Sequence, residues 1–592
     1  MHNNFKLPID FNNPKYLDKN IIENLQLKNK QFLNNFKEYF STNDLLAEEC
    51  DISNDFFYND KNCLYDSIFK PNNVFSKLVT NIQSNTYTRN KNYLKDTQKL
   101  ISEIHDISFY DFDLSYSLNI VETINNIKNE THFIEKYQYL EIPFLKELNT
   151  NSSFLQILSM YNLFSPILNL LTPIFLLFVP FLILIFKKEE LSIQNYLNQL
   201  FIAFENNPLG KLLNGYTKSS IGEKCGLIFW GFLYIYQIYN SINYCIKFFN
   251  NIKIIHEKIN YIKDYLNNSL TNFKKLNKIL DSYKTYKEFN NQVENIILST
   301  EKFIVDISKI SEYKLNYKKL IEMGDLMKVF FDLHNDIEIN NLIEKTYYLN
   351  GYIDNIKTLS NLKISKKIND CEFTNDKIKI EENYYPIFIE NDPVTNSIDL
   401  CNNIIITGPN ASGKTTFIKS ILFNIIFTQQ FGMGFYKSAN INLFDKFFCY
   451  LNIPDTNDRD SLFQAEARIC KNIIEYIEEN KNEKVLCIFD ELYSGTNPEE
   501  AVNSSYSLLN YLVEENCKYI ITTHFYDLCN LLEKKDNIKN YNMKVLNKKD
   551  DIIFTYKINE GISKIKGASN ILKKLNYPEK IIKNIDKLNN NL

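Results

Sequence analysis

Asn403-Ile-Ile-Ile-Thr407, followed at once by Gly408-Pro-Asn-Ala-Ser-Gly413-Lys414-Thr415-Thr416, decides how the last part of this 592-residue chain folds. The apolar, β-branched run reads as a buried strand. The match to G-x-x-x-x-G-K-[ST] that follows reads as a loop opening a helix, expected over residues 416–428. Each position has a chemical reason. The glycines let backbone N–H groups close around phosphates at a helix N-terminus, Lys414 brings a point charge to the β/γ oxygens, and the Thr415 hydroxyl can ligate Mg²⁺. Gly408, Pro409, Asn410, Ala411, Ser412, Gly413, Lys414, Thr415 and Thr416 are therefore the candidate residues for binding ATP with Mg²⁺.

Two further apolar strands end in residues that complete such a site. KVLCIF at 484–489 runs into Asp490-Glu491, a metal-side carboxylate beside one able to polarise an attacking water. The strand at 518–522 leads to Thr523-His524 and puts an imidazole at the carboxyl edge of the same sheet, where ligands sit in such folds. His524 is expected to sense or position the γ-phosphate. Ser461 and Gln464 fit a capping box opening a helix to about residue 480. A serine there can also meet an anion, including a phosphate presented by a second subunit. The candidates are thus Glu491 and His524 for catalysis, Thr415 and Asp490 for the metal.

Outward from this module the pattern changes at about residue 368. From there strands alternate with helices to about residue 545, with short segments such as 378–380 and 385–389 at the start, giving an α/β domain over 368–592. Its tail reads as two short helices parted at Pro578. Residues 247–367 are long Lys/Asn/Leu/Ile helices poor in Gly and Pro, and residues 1–147 are helices broken by polar loops, as at 93–107. Between them, 148–246 stands apart. No charged residue lies between Leu148 and Phe186, residues 163–186 are almost purely apolar, and a second uncharged run covers 225–246. The first run is long enough to span a bilayer, and the two read as a helical hairpin in a membrane, flanked by Lys187, Lys188 and Lys224. The lysine balance does not orient the hairpin. A nucleotide-hydrolysing C-terminus must face the cytosol, and two spans return the N-terminus there as well. The competing reading is a buried helical pair, since Pro166, Pro173 and Pro180 fall in the first run.

A net charge of −4 gives no basic signature for nucleic acid, so any such contact must come from local lysines or shape. Eleven scattered cysteines without a C-x-x-C pair fit reduced thiols better than disulfides or zinc.

Four stretches in order carry a family resemblance. TGPNASGKTTFIKS resembles the nucleotide loop of the MutS family, DRDSLFQAEA its Ser-x-Phe-x-x-Glu signature, FDELYSGTNPEEA its Asp-Glu with a following Gly-Thr loop, and TTHFYDL its Thr-His motif. YYPIFIENDPVTNSIDL upstream and YKINEGISKIKGASNILKKLNYPEKII downstream are also similar, so the likeness covers roughly residues 370–592. It implies an α + α/β protein in which 1–147 and 247–367 resemble core and lever regions and 368–592 an ATPase domain of the ABC/MutS type. It also implies a homodimer with two composite ATP sites, in which Asn410 touches the nucleotide and Ser461 the opposing γ-phosphate. DNA, mismatched, branched or duplex, is the implied partner, together with a downstream repair protein. ABC transporters and SMC-like proteins share the logic, but Ser461-Leu-Phe stands where their Leu-Ser-Gly-Gly-Gln would be. The family's Phe-x-Glu mispair reader has no convincing counterpart before residue 150. The hydrophobic pair is foreign to ordinary mismatch-repair members and resembles a membrane-associated branch of related ATPases. The expected place is at a membrane with the ATPase facing the cytosol, otherwise cytoplasmic or nuclear. A membrane-tethered ATPase of this type acting on a protein or membrane partner, without mismatch recognition, is the competing function.

Overall fold

The computed structural model describes residues 5–28, 32, 63–188, 190, 192–206, 221–311, 318–375, 377–451, 462–533, 535–548, 551–563, 572, 575 and 577–591. Along the chain, β1 (Pro14–Tyr16) and β2 (Thr86–Thr88) precede α1 (Lys91–Glu103), then α2 (Ser152–Phe186), α3 (Ile221–Leu280), α4 (Lys318–Asn335) and α5 (Ile337–Ile364). The strands β3 (Asn369–Phe373), β4 (Lys379–Asn383), β5 (Asn396–Asp399) and β6 (Asn403–Thr407) lead to α6 (Lys414–Phe431). After β7 (Met433–Gly434), β8 (Ser438–Ile441) and β9 (Lys446–Tyr450) come α7 (Leu462–Glu479), β10 (Val485–Asp490), α8 (Pro498–Glu514) and β11 (Lys518–Thr523). A hairpin of β12 (Ile538–Lys548) and β13 (Asp551–Glu560) follows. The protein is α + α/β.

Two compact units divide the chain, one of residues 1–118, 271–297 and 343–592, the other of 119–270 and 298–342. In the first, a six-stranded sheet has the order β13-β12-β6-β11-β10-β9, with all pairs parallel except β12 and β13. Helices on both faces explain why β6, β10 and β11 read as unbroken apolar runs. Ile405, Phe489 and Ile521 are fully buried, and Ile473, Ile477, Leu509 and Leu512 of the helices belong to the same core. A second sheet, β5-β4-β8-β3-β7, lies ahead of and after α6 in sequence. The stretch 385–389 is a turn of 3₁₀ helix at Pro386–Phe388, because Pro386 fixes φ and takes the first helical position.

The N-terminal residues of this unit are not only helical. β1 and β2 pair antiparallel, and their neighbourhood is pinned to the α/β part through Asp445 at the start of β9. Asp445 is 5% exposed, accepts from Lys15 Nζ at 2.9 Å and from the Arg89 guanidinium, and takes the backbone N–H of Lys484 at 3.0 Å. Burial works to raise the pKa of its carboxyl, but Lys15, the Lys484 amide and Arg89 together hold it below the usual aspartate range. Gln430 near the end of α6 donates to Thr86 O (2.8 Å) and Gln83 O (3.1 Å), a second attachment of the same segment.

In the other unit, α2 runs 35 residues through Pro166, Pro173 and Pro180. A proline frees the carbonyl four residues earlier. Ser165 Oγ donates to Asn162 O (3.2 Å), the carbonyl freed by Pro166, and Tyr234 Oη of α3 donates to Asn169 O (2.9 Å), the one freed by Pro173. Asn169 also donates to Ser241, and Cys245 Sγ lies 3.3 Å from Leu163 O, so this part of α3 lies antiparallel beside α2. The first turns of α2 pack on α4, where Gly324 N donates to Gln156 Oε1 (2.8 Å) and a Cβ on Gly324 would come within 2.1 Å of Ser152 O. Further along, large apolar side chains stand exposed, among them Ile167, Phe178 and Leu182 on α2 and Ile228, Phe232 and Ile235 on α3. Among the described residues one stretch, Ser152–Leu171, is long and apolar enough to cross a membrane, with 11% of its window buried.

Candidate functional site

Because β6, β10 and β11 are parallel neighbours, their carboxyl ends open on one edge of the sheet. The loop after β6 reaches α6 through left-handed backbone at Ala411 (φ 63°) and Gly413 (φ 95°). Gly413 is required twice over, since a Cβ there would also come within 3.0 Å of the Tyr556 ring. The loop brings Lys414 back over itself. Its Nζ donates to Gly408 O (3.0 Å) and Pro409 O (3.4 Å) and lies 3.2 Å from His524 Nε2 and 3.7 Å from Glu491 Oε1. Lys414 is 5% exposed, and burial lowers its pKa against the opposing pull of Glu491 and Asp490.

Glu491 and Asp490 are consecutive but point to different partners. Glu491 has φ 53°, left-handed backbone uncommon for a glutamate, and this turns the chain between the two carboxylates. Asp490 Oδ2 accepts from Thr415 Oγ1 (2.7 Å) and Oδ1 from Thr522. Glu491 Oε1 instead meets His524 Nε2 at 2.8 Å, and this contact, with Lys414 nearby, holds the glutamate below the usual carboxylate range despite its partial burial. A hydroxyl and a carboxylate oxygen at 2.7 Å are the oxygen donors that Mg²⁺ takes.

The fit to a nucleotide can be tested on the loop itself. Ser412 Oγ is buried and has no hydrogen-bond partner among the described residues, so a donor stands unused beside the lysine. A cavity of about 670 Å³ extends from the loop, within the range of small-molecule sites. Asn410, Ala411, Ser412, Gly413, Lys414, Thr415, Thr416 and Glu491 are among its lining residues. Its lining also includes residues that sequence reasoning missed as site residues: Tyr385, Phe388, Val394 and Tyr556. Asn396 holds Tyr556 in place, donating to its carbonyl (2.9 Å) and accepting from Ile558 N (2.8 Å). The arrangement can hold a polyphosphate at the loop, a divalent cation between Thr415 and Asp490, and a flat ring against aromatic side chains of the lining. Ser461 lies outside the described residues; α7 begins at Leu462.

Residues 404–592 match the family model described as MutS domain V. The DNA mismatch repair protein MutS of Clostridium botulinum (strain Alaska E43 / Type E3) is 26% identical over 318 residues, 51% of this chain and 33% of that protein. The protein of the same name from Finegoldia magna is 28% identical over 306 residues, 49% of this chain and 33% of that one. The MutS protein homolog 4 of Mus musculus is 29% identical over 302 residues, 45% of this chain and 31% of its own. The chain thus spans about a third of the length of these curated relatives.

Proposed function

Because the chain belongs to the MutS family, we propose that it is an ATPase whose nucleotide cycle drives binding to DNA, in mismatch repair or recombination-type maintenance. The observation that carries the reading is the meeting of Lys414, Glu491 and His524 beside the Thr415–Asp490 pair. Lys414 and the loop amides receive the phosphates, with Asn410 against the nucleotide. Thr415 and Asp490 would hold Mg²⁺, which offsets charge on the phosphate oxygens. Glu491 polarises the attacking water, and His524 fixes its direction and follows the γ-phosphate. Preorganised charge does most of the work in such phosphoryl transfer.

In this reading the protein is a homodimer in which Ser461 of one copy completes the ATP site of the other. Helical regions 1–147 and 247–367 serve as core and levers for the ATPase domain at 368–592. ATP binding closes the dimer on mismatched, branched or duplex DNA, hydrolysis opens it, and a downstream repair protein acts on the closed state. The test is a DNA panel in each nucleotide state on purified dimer. Salt-sensitive binding that changes with ATP is expected, and no such binding in any state rejects the DNA part.

One observation favours a second reading, the exposed apolar side chains of α2 and α3 in the 148–246 region. The hydroxyls supplied to the freed carbonyls of α2 are the kind of internal satisfaction that a helix needs where water is excluded. Here the ATPase is tethered to a membrane, faces the cytosol, and acts on a protein or membrane partner. Alkaline extraction separates the two readings, since full release of the chain from membranes would leave a cytoplasmic or nuclear protein.

A further inference from the structure

β11 carries a hydroxyl at Thr522, where the pattern of a buried strand calls for an apolar side chain. Its register sets Thr522 between Asp490 of β10 and Ile406 of β6, and Ile520, Ile521 and Thr522 are all fully buried. A valine fills such a strand position without polar cost, whereas a buried hydroxyl must find partners. This one is used twice. It donates to Asp490 Oδ1 and accepts the backbone N–H of Glu491 at 3.2 Å. The Glu491 N–H also reaches Thr522 O at 3.1 Å, so that backbone is held with or without the hydroxyl. Asp490 Oδ1 differs, since among the described residues Thr522 alone donates a hydrogen bond to it. The terminal torsion of an aspartate is broad and nearly two-fold, so nothing intrinsic decides where its oxygens point. Here one oxygen is taken by β11, and the other, Oδ2, meets Thr415 Oγ1 of α6 at 2.7 Å.

We infer that Thr522 is a positioning residue for the divalent cation: its hydroxyl fixes the orientation of Asp490 so that Oδ2 is turned toward Thr415. The inference rests on the proposed role of Thr415 and Asp490 in holding the cation, and Thr522 itself would not touch it. Partners behind a metal ligand orient that ligand, and removing one commonly costs roughly ten- to a hundredfold in metal affinity. The second contact of the hydroxyl gives it a further effect. Because it also receives the Glu491 amide, both carboxylates of the Asp-Glu pair are referred to one point on β11. Asp490 on the Thr415 side and Glu491 on the His524 side therefore keep a fixed divergence although they are adjacent in the chain.

The test is a metal-binding comparison on the full chain with ADP bound, using Mn²⁺ in place of Mg²⁺ and reading free Mn²⁺ by electron paramagnetic resonance. Thr522→Val keeps the shape of the side chain and removes the hydroxyl. It should weaken Mn²⁺ binding on the order of tenfold or more, while ADP affinity without metal stays near wild type. Thr522→Ser keeps the hydroxyl and should bind Mn²⁺ close to wild type. Wild-type Mn²⁺ affinity in Thr522→Val overturns the inference, and so does a serine variant as weak as the valine one. An equal loss of metal-free ADP binding in Thr522→Val also overturns it, since the nucleotide loop and not the aspartate would then be disturbed. If Thr522→Val does not fold, Thr522→Ala takes its place under the same readings. Asp490→Asn is run beside them. Wild-type Mn²⁺ binding there rejects the metal-side role of Asp490 itself, whereas its loss with a silent Thr522→Val rejects only the role of Thr522.

Discussion

His524 Nε2 lies 2.8 Å from Glu491 Oε1, and Lys414 Nζ is 3.2 Å from the same nitrogen. One imidazole atom therefore sits between the loop lysine and the glutamate that follows β10. With a proton on Nε2 the ring donates to Glu491; without one it accepts from Lys414. Replacing Glu491 by Gln removes the carboxylate of the proposed reaction but keeps the shape. Turnover should fall on the order of a hundredfold or more while ATP still binds, as read by single-turnover hydrolysis beside equilibrium binding. His524→Ala should lower turnover less, because it frees the glutamate without removing it. Wild-type turnover in Glu491→Gln would take that residue out of the chemistry.

The pH dependence of nucleotide binding follows from Lys414. Its pKa lies below the ordinary lysine value because burial disfavours the charged form. The ammonium is present at low pH and is lost as pH rises through this lowered value, so ATP affinity should decline on the alkaline side earlier than a free lysine would give. Glu491 and Asp490 both support the charge, so Glu491→Gln should move the decline to still lower pH. Nucleotide binding across pH 7 to 10.5 measures both; an alkaline limb that stays put in the variant would contradict the coupling.

Asp445 tests the attachment of the N-terminal segment. Asp445→Ala removes a partner shared by Lys15, Arg89 and the Lys484 amide, although Lys15 keeps Glu483 at 3.0 Å. The cations are partly exposed, so the expected cost is roughly 2–3 kcal/mol at neutral pH. The folded pKa is depressed, so the contribution is complete above the unfolded value near 4 and disappears as pH falls through the folded one. Denaturant titrations should show a stability gap at pH 7 that narrows below about pH 4. A gap of the same size at pH 3 would mean that packing, not charge, sets the effect.

Tyr234→Phe removes one oxygen from the α2–α3 contact. Asn169 O, already without a helical donor because of Pro173, would lose its partner. A loss of about 1–3 kcal/mol is expected if water cannot reach that carbonyl. Tyr239→Phe, at a tyrosine that is 61% exposed, should cost nothing. Thermal melts of both variants in detergent compare them directly, and equal melts would show that the carbonyl is hydrated.

What could be read in the sequence follows the range of the interactions. Lys414, Asp490 and His524 each end or follow a short apolar strand, and strands of that kind pair in parallel with their carboxyl ends together; a local pattern was enough. Tyr556 was not legible, although it shares the cavity. It is more than a hundred residues beyond Lys414 on an edge hairpin, and although Tyr556 and Asn396 both lie in stretches similar to the family, nothing local in either stretch says that Asn396 holds Tyr556 at the cavity. The pairing of Asp445 with Lys15 and Arg89 was hidden for the same reason, since a polar loop residue gives no periodicity. The span of α7, Leu462–Glu479, agrees with the helix expected from the capping box of Ser461 and Gln464; its buried face of Cys470, Ile473 and Ile477 is what the structure adds.

Shared sites make a prediction about mixtures that independent sites cannot meet. Ser461→Ala leaves the loop of its own copy intact, and Lys414→Ala leaves its own Ser461 intact. In a mixed dimer of a symmetric pair, the intact loop faces the intact serine at one site, and both lesions fall together at the other. Each variant alone should be nearly inactive, whereas an equimolar mixture allowed to exchange should recover about a quarter of wild-type turnover, one working site in each of the half of dimers that are mixed. If each copy used its own Ser461, every site in the mixture would carry a lesion and no activity would return. Steady-state hydrolysis against mixing ratio distinguishes the cases, since the shared arrangement alone gives a maximum at equal amounts of the two variants.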